Sequence, residues 1–141
     1  KTVATGKFEV IAIGISTGGP NALATFIPDL SNHLPPVVIV QHMPPVFTKS
    51  LADNLNKYAK LTVKEAEDGE LLKNGTAYIA PGGRHMVVRK TGGGITVGLN
   101  DNPPENSCRP SVDVLFRAIA SQVPSGKTLS LILTGMGADG F

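Results

Sequence analysis

The sequence contains no tryptophan, one cysteine and few aromatic residues, which make up 5% of its 141 positions. Because a single cysteine can form neither an internal disulfide nor a zinc cluster, Cys108 favours a reducing compartment such as the cytosol. No apolar run approaches the roughly 20 residues that a membrane-spanning helix needs. We therefore expect a cytoplasmic domain that is not embedded in a membrane.

Charged residues are also scarce, at 17% of the chain, and the formal net charge is only +2. This charge is too small to indicate a nucleic-acid partner, and no aromatic–basic pattern of an RNA- or DNA-binding module is present. Residues 1–7 lack the features of a signal peptide. The hydrophobic content of 41% is typical of a soluble globular protein, and the length is enough for one domain.

Two strand–loop–helix units follow one another in the first half of the chain. Residues 8–14 and 37–40 are mostly apolar runs, typical of parallel strands buried on both faces. Each run leads through a loop into apolar side chains at helical spacing, and Pro20 suits the first turn of the first helix. The helix-marking residues are Leu23, Phe26, Ile27 and Leu30 in the first unit and Phe47, Leu51, Leu55 and Tyr58 in the second. Two such units predict right-handed βαβ crossovers and a parallel sheet with helices on its faces.

The second half of the chain adds short strands, a hairpin and a third helix. Residues 61–65 and 77–80 are typical of short strands, and residues 85–89 and 95–99 flank a glycine-rich turn as in a β-hairpin. A third helix face precedes a last apolar strand at 129–133, and it consists of Val112, Leu115, Phe116 and Ile119. The whole pattern predicts an α/β fold with three layers, α/β/α, built on a mainly parallel, doubly wound sheet plus a β-hairpin.

Three loops at the carboxyl ends of predicted strands carry side chains suited to catalysis. Ser16 follows the first strand, His42 the second and Asp139 the last. In open parallel sheets, sites form in the loops beyond the carboxyl ends of the strands. If these strands are neighbours in the sheet, the three side chains meet at one edge.

Ser16 lies in Gly14-Ile15-Ser16-Thr17-Gly18, which matches the G-x-S-x-G pattern of a nucleophile elbow. The glycines permit a sharp turn that presents the hydroxyl at a helix N-terminus, where backbone N–H groups can stabilise an oxyanion. The same loop, Gly14 to Gly19, is also compatible with a nucleotide- or phosphate-binding module, and Ser16 with a helix cap. The order Ser, His, Asp differs from the Ser, Asp, His order of α/β-hydrolases, which disfavours a lipase-like fold.

His42 fits the role of general base, because an imidazole titrates near neutrality and the preceding strand holds its backbone. Asp139 would orient His42 and stabilise its cationic form. Taken alone, His42 could equally be a loop histidine and Asp139 a turn or cap residue. Among the remaining candidates, His33 fits a solvated loop residue, His85 the entry of the hairpin rather than the rim of a site, and Cys108 an incidental loop thiol.

Five motifs occur in order along the chain, and together they carry more than generic chemistry. They are Ile11-Ala12-Ile13-Gly14-Ile15-Ser16-Thr17-Gly18-Gly19-Pro20, Gln41-His42-Met43-Pro44, Ile79-Ala80-Pro81-Gly82-Gly83-Arg84-His85-Met86, Arg109-Pro110-Ser111-Val112-Asp113-Val114-Leu115-Phe116 and Leu133-Thr134-Gly135-Met136-Gly137-Ala138-Asp139-Gly140. From about Glu9 to Phe141 the chain closely resembles the catalytic domain of the chemotaxis receptor protein-glutamate methylesterase (CheB) family. Agreement of five ordered motifs is not expected by chance.

The resemblance implies that Ser16, His42 and Asp139 form a catalytic triad, with backbone N–H groups of Thr17 and Met136 in the oxyanion hole. It implies hydrolysis of glutamyl methyl esters on methyl-accepting chemotaxis receptors with release of methanol, and the related deamidation of receptor glutamines. No metal or organic cofactor is implied by it.

Two features depart from the family's usual pattern. The receiver domain that normally precedes the catalytic domain is absent from this chain, so residues 1–7 would be the end of a linker and residues 8–141 the catalytic domain. The family domain also continues past Asp139 and Gly140, and a glycine-rich loop after a central strand should lead into a helix. We therefore expect the chain to be truncated at its C-terminus, and the sequence does not predict activity for residues 1–141 alone.

Overall fold

The computed structural model describes residues 8–15 and 19–133, and for residues 19–21 it describes only their helical backbone. In this part of the chain, strands and helices alternate at first and a hairpin follows in the middle. In chain order the elements are β1 (Val10–Ile15), α1 (Gly19–Phe26), β2 (Val37–Gln41), α2 (Pro45–Asn56), β3 (Thr62–Glu65), β4 (Thr76–Ile79), β5 (His85–Thr91), β6 (Gly94–Asn100), α3 (Val112–Gln122) and β7 (Thr128–Leu133). These positions confirm each strand and helix predicted within the described residues, with ends that differ by a few residues.

Five of the strands form one sheet in the order β3-β4-β2-β1-β7, and every neighbouring pair is parallel. Strand β1 therefore lies between β2 and β7. Its last residue, Ile15, is in register with Gln41 of β2 and with Leu133 of β7. The other two strands, β5 and β6, pair antiparallel as the predicted hairpin.

Both faces of the central strands are buried, which explains their almost continuous apolar sequence. On one face, Ile13 and Ile39 pack with side chains of α1 and α2 such as Leu23 and Leu55. On the other face, alternate residues of the same strands pack against the hairpin and α3, whose buried residues include Leu115. The arrangement confirms the three-layer α/β/α fold, with the hairpin sharing the second outer layer with α3.

The predicted buried face of α2 is confirmed at Leu55 and Leu51, which pack in the core, but it is wrong at Phe47 and Tyr58. The structure buries Thr48, Ala52 and Leu55, whereas Phe47 is 53% exposed. Tyr58 lies beyond the end of the helix and is 72% exposed. A periodicity argument favours large apolar residues, but the helix turns its small residues Thr48 and Ala52 toward the sheet, and the Thr48 hydroxyl finds hydrogen-bond partners there.

The first helix is shorter than its apolar spacing predicts. Helix α1 ends at Phe26, and residues 27–29 continue as a single 3₁₀ turn that contains Pro28. Proline disfavours α-helical backbone in the residue before it, which is Ile27, so the α-helix ends at Phe26. Within the described residues, no helix combines the length and the apolar character needed to cross a membrane.

Gly14, near the end of β1, owes its identity to close packing. A Cβ atom at this position would lie 2.5 Å from Val112 Cγ1 and 2.8 Å from Val112 Cγ2, at the start of α3. Its backbone is not in the left-handed region, so conformational freedom is not the reason for the glycine. We conclude that α3 sits against β1 at a distance that only glycine allows.

We expect Gly14→Ala to lower the free energy of unfolding by about 1–3 kcal/mol, because the added methyl group overpacks the contact with Val112. Urea denaturation of the complete protein measures the change. Val112→Ala supplies the matched companion, since it makes room for the new methyl group. The double variant should lose less stability than the sum of the two single variants, and strict additivity would contradict the packing explanation.

Candidate functional site

The candidate site lies at the carboxyl ends of β1, β2 and β7, three adjacent strands. Ile15, Gln41 and Leu133 share one register there, so the chain leaves all three strands at the same level of the sheet. This adjacency was the condition for the predicted triad residues to meet, and it is fulfilled. Ser16, Thr17, Met136 and Asp139 lie outside the described residues, so their roles stay predictions.

His42 is the member of the predicted triad that the structure describes. It is the first residue after β2, it is half-buried, and its backbone N–H donates to the carbonyl oxygen of Ile15 at 3.3 Å. That bond holds the backbone of His42 against the last residue of β1, directly before Ser16 in the sequence. The sheet therefore fixes the position from which the imidazole extends.

Cys108 lies beside His42, which sequence reasoning did not foresee. Its Sγ is 3.9 Å from Nδ1 of His42, although 66 residues separate the two in the chain. The interpretation of Cys108 as an incidental loop thiol relied on there being no neighbouring histidine in the sequence. Only the fold brings the two together, and no local pattern around Cys108 indicates it.

A tight turn presents Cys108 to the site. Glu105 and Cys108 exchange both backbone hydrogen bonds, at 3.0 and 2.8 Å. Between them, Asn106 and Ser107 adopt positive φ angles of 53° and 62°. Two successive left-handed residues are typical of a type I′ turn, so the turn reverses the chain within four residues.

The loop after β4 packs directly behind the segment that carries His42. A Cβ atom on Gly82 would lie 2.6 Å from the carbonyl oxygen of Met43 and 2.7 Å from atoms of Pro44 and Pro45. Because these neighbours are backbone atoms, they cannot turn aside as a flexible side chain would. Gly82 is thus required for the close contact between the two loops.

Thr48 joins these loops through its buried hydroxyl group. The Oγ1 atom accepts the backbone N–H of Gly82 at 3.0 Å and donates to the Glu65 carboxylate. Thr48 is fully buried in the first turns of α2. One hydroxyl therefore connects α2, the end of β3 and the loop after β4.

His85 is buried at the start of β5, which confirms its predicted place at the entry of the hairpin. Its Nδ1 accepts the backbone N–H of Ser111 at 3.2 Å, so the proton of the neutral ring must be on Nε2. Nε2 then donates to the carbonyl oxygen of Pro103 at 3.0 Å. By contrast, His33 is exposed in the loop before β2, as predicted.

Helix α2, which follows His42 in the sequence, has an open and partly apolar surface. Val46 is 74% exposed and Phe47 is 53% exposed, both in the first turn of α2. Phe47 also lines an open groove of about 550 Å³ together with Met43 and Leu51. In the next turn of α2, a hydrogen bond from Lys49 to Asp53 raises the pKa of the lysine, which stays charged at neutral pH. Among the described residues, this face of α2 is thus an open surface.

Known proteins match this chain over nearly its whole length. The family model described as CheB methylesterase matches residues 11–141. The chain is 51% identical to the protein-glutamate methylesterase/protein-glutamine glutaminase of Desulfotalea psychrophila, across 99% of this chain and 39% of that protein. It is also 51% identical to the protein of the same name from Geobacillus kaustophilus, across 99% of this chain and 40% of the relative. The chain thus spans about two-fifths of the length of these curated relatives.

A solved structure shows the same fold. The crystal structure of the Thermotoga maritima CheB methylesterase catalytic domain superimposes with a TM-score of 0.89 at 46% sequence identity. The match covers 94% of this chain and 70% of the Thermotoga chain. The parallel sheet and the hairpin described above therefore belong to an architecture already seen by crystallography.

We expect Thr48→Val to lower the free energy of unfolding by about 1–3 kcal/mol, because it removes the partner of the buried Gly82 N–H. Thr48→Ser keeps the hydroxyl and is the matched control. Urea denaturation of both variants of the complete protein compares the two losses. An equal loss in Thr48→Ser would show that the methyl group, rather than the hydrogen bonds, stabilises this junction.

Alkylation of Cys108 should perturb the imidazole of His42, because Sγ lies within 4 Å of its Nδ1 atom. The chain has a single cysteine and three histidines, so iodoacetamide acts at one thiol of this chain and histidine ¹⁵N labelling gives three ring systems from it. We expect the NMR signals of His42 to shift and those of the exposed His33 to stay unchanged. Unaltered His42 signals in the fully alkylated protein would refute the proximity.

Proposed function

Since the chain belongs to the CheB methylesterase family, we propose that the complete protein hydrolyses glutamyl methyl esters on methyl-accepting chemotaxis receptors. Deamidation of receptor glutamines is the second activity that we propose. The observation that carries the proposal is the shared register of Ile15, Gln41 and Leu133. Because these three strands are adjacent, their last residues, which directly precede Ser16, His42 and Thr134 in the sequence, lie side by side.

The proposed reaction proceeds through a covalent glutamyl-enzyme. His42 takes the proton of the Ser16 hydroxyl while the oxygen attacks the ester carbonyl carbon. The tetrahedral intermediate collapses, its bond to the methoxy group breaks, and His42 returns the proton so that methanol leaves. A water molecule, deprotonated by His42, then attacks the acyl carbon, and the bond from that carbon to the Ser16 oxygen breaks. His42 returns the proton to this oxygen, which restores Ser16, and the released receptor carboxyl group loses its own proton to solvent.

Two further groups complete this proposal. Asp139 orients the imidazole of His42 and stabilises its cationic form without taking the proton. Backbone N–H groups of Thr17 and Met136 form the oxyanion hole, and the loss of one such donor costs roughly 2.7–4 kcal/mol of transition-state stabilisation. Since the chemistry is acyl transfer between side chains and water, it requires no metal or organic cofactor.

The described surface of α2, the helix that follows His42 in the sequence, supports a protein as the substrate. Small molecules bind in concave pockets that enclose most of their surface, whereas the groove lined by Met43 and Phe47 is open. Exposed Val46 and Phe47 offer apolar contact area at the start of this helix. We therefore propose that the cytoplasmic part of a receptor docks here and that the enzyme acts in the cytoplasm. In the whole protein, residues 1–7 would end a linker and residues 8–141 would belong to the catalytic domain.

The alternative of a phosphate- or nucleotide-binding module finds no support in the family model or the named relatives. Its structural requirement is also missing, because dinucleotide-binding folds place an acidic residue near the end of the second strand. Here β2 ends in the buried amide of Gln41, followed by His42. The loop from Gly14 to Gly19 is therefore better explained as part of an esterase site.

We expect Ser16→Ala to abolish methanol release from a receptor labelled in its methyl esters, because no other hydroxyl is proposed as nucleophile. The assay uses the complete protein and counts released labelled methanol. Calorimetric titration with nucleotides provides the opposing test. Unchanged methanol release in Ser16→Ala, or micromolar nucleotide binding by a protein without esterase activity, would overturn the proposal.

We expect His42→Gln to lower kcat by about 10²–10⁴-fold, which is the usual contribution of a general base. His33→Gln is the matched control, since His33 is exposed in the loop before β2, at the opposite end of that strand. The control should keep the wild-type rate. Equal losses in the two variants would show that the effect is not specific to His42.

A further inference from the structure

The third sequence motif, which contains Pro81, Gly82, Gly83, Arg84 and His85, has no part in the proposed chemistry. Yet it contacts both segments that border His42. On one side Gly82 packs against the backbone of residues 43–45. On the other side, the motif forms hydrogen bonds with the segment 101–110, which contains Cys108, the neighbour of the His42 imidazole.

The segment 101–110 has little buried apolar surface of its own to hold it in place. Of its ten residues, only Pro110 is buried. It therefore depends on polar attachments to the rest of the domain. Three come from the motif: Gly83 N–H to the Arg109 carbonyl at 3.2 Å, Arg84 Nε to Asp101 Oδ1 at 2.9 Å, and His85 Nε2 to the Pro103 carbonyl at 3.0 Å.

These attachments differ in how much water they meet. Arg84 and Asp101 have side chains that are 41% and 69% exposed, and such exposed ion pairs contribute about 0–1 kcal/mol. His85 is 1% exposed, so its hydrogen bonds face little competition from solvent. The buried imidazole is thus the firmer of the two side-chain anchors that the motif supplies.

His85 holds the segment at two points that flank Cys108 in the chain. Its Nε2–H reaches the carbonyl of Pro103, before the turn, and its Nδ1 accepts the N–H of Ser111, the first residue after the segment. Ser111 is also the N-cap of α3, so that end of the segment is tied to a helix packed on the sheet. One rigid ring therefore sets the distance between Pro103 and Ser111.

We propose that His85 is a positioning residue, which sets the segment 101–110 against His42 and thereby fixes one wall of the reaction site. It does not touch the reacting atoms and acts only through Pro103 and Ser111. The proposal rests on the proposed esterase function for its kinetic consequences. Its structural consequences for His42 and Cys108 stand without that function.

The test compares His85→Leu, His85→Gln and His85→Asn in the complete protein. Leucine fills a similar volume without either hydrogen bond, glutamine keeps a donor near Nε2, and asparagine keeps an acceptor near Nδ1. We expect His85→Leu to lower kcat/KM by about 10–100-fold, because a displacement of about 1 Å at a reaction site can cost 10²-fold. The two amide variants should retain more activity than the leucine variant.

Two control variants separate positioning from other effects. Val88→Ala removes buried volume from the same strand, lowers stability, and leaves the segment's attachments intact. Arg84→Gln removes the exposed attachment to the same segment. We expect both to keep kcat/KM within about threefold of wild type at a temperature where all variants are folded.

Two readouts would not move if His85 had only a general structural role. The first is the histidine ¹⁵N NMR spectrum, in which His85 should show a proton on Nε2 and His42 should shift in His85→Leu but not in Val88→Ala. The second is the alkylation rate of Cys108, which should rise at least severalfold in His85→Leu as its turn leaves the imidazole. If His85→Leu does not fold, the amide variants take its place in both measurements.

The outcomes distinguish this proposal from the proposed function. Unchanged His42 signals and Cys108 reactivity in the His85 variants would overturn the positioning role, whatever the activity. If Ser16→Ala retained full methanol release, the esterase proposal would fail while the NMR and alkylation results still decided the role of His85. Loss of activity in Val88→Ala equal to that in His85→Leu, with His42 signals unmoved in both, would also overturn it.

Discussion

The structure depends on the burial of β1 on both faces and its pairing on both edges. Such a strand has no surface left for polar side chains until it ends, so its chemistry must begin at the residue after Ile15. Parallel pairing then brings the ends of β2 and β7 to the same level. The contact of Gly14 with Val112 adds α3 to this arrangement, because the helix begins against the C-terminal end of the strand. The site is consequently placed by the sheet and not by its own loops.

Around that edge of the sheet, two kinds of contact hold the segments that border His42. One is close packing between backbones, and the other is hydrogen bonding from buried side chains to backbone groups. Gly82 touches the backbone of Met43 so closely that its identity is set by a neighbour distant in sequence. Thr48 and His85 each bind backbone groups of other loops from buried positions. Because buried polar groups are costly to leave unpaired, each of these bonds favours one arrangement of the loops over its alternatives. The precision of the site thus comes from residues that take no part in the chemistry.

Sequence reasoning predicts this fold well because its strands are buried on both faces, so that apolar runs between glycine- and proline-rich turns stand out. It places His42 at a strand end for the same reason. It fails where small or polar residues face the core, as Thr48 and Ala52 do in α2, since periodicity favours Phe47 and Tyr58 instead. It also cannot foresee contacts between distant segments, such as Cys108 with His42, because their proximity follows from the topology of the sheet.

The strand order is also compatible with the proposed triad, whose members follow one another in the order Ser, His, Asp. Strand β1, which precedes Ser16 in the sequence, lies between β2 and β7, which precede His42 and Asp139. Neighbouring strands are about 4.8 Å apart, so the ends of β2 and β7 are separated by roughly 10 Å. Ser16 and His42 follow their strands at once, whereas Asp139 comes six residues after Leu133. Six residues can span up to about 20 Å, which is enough for an aspartate from β7 to cross the end of β1 and reach the histidine from β2.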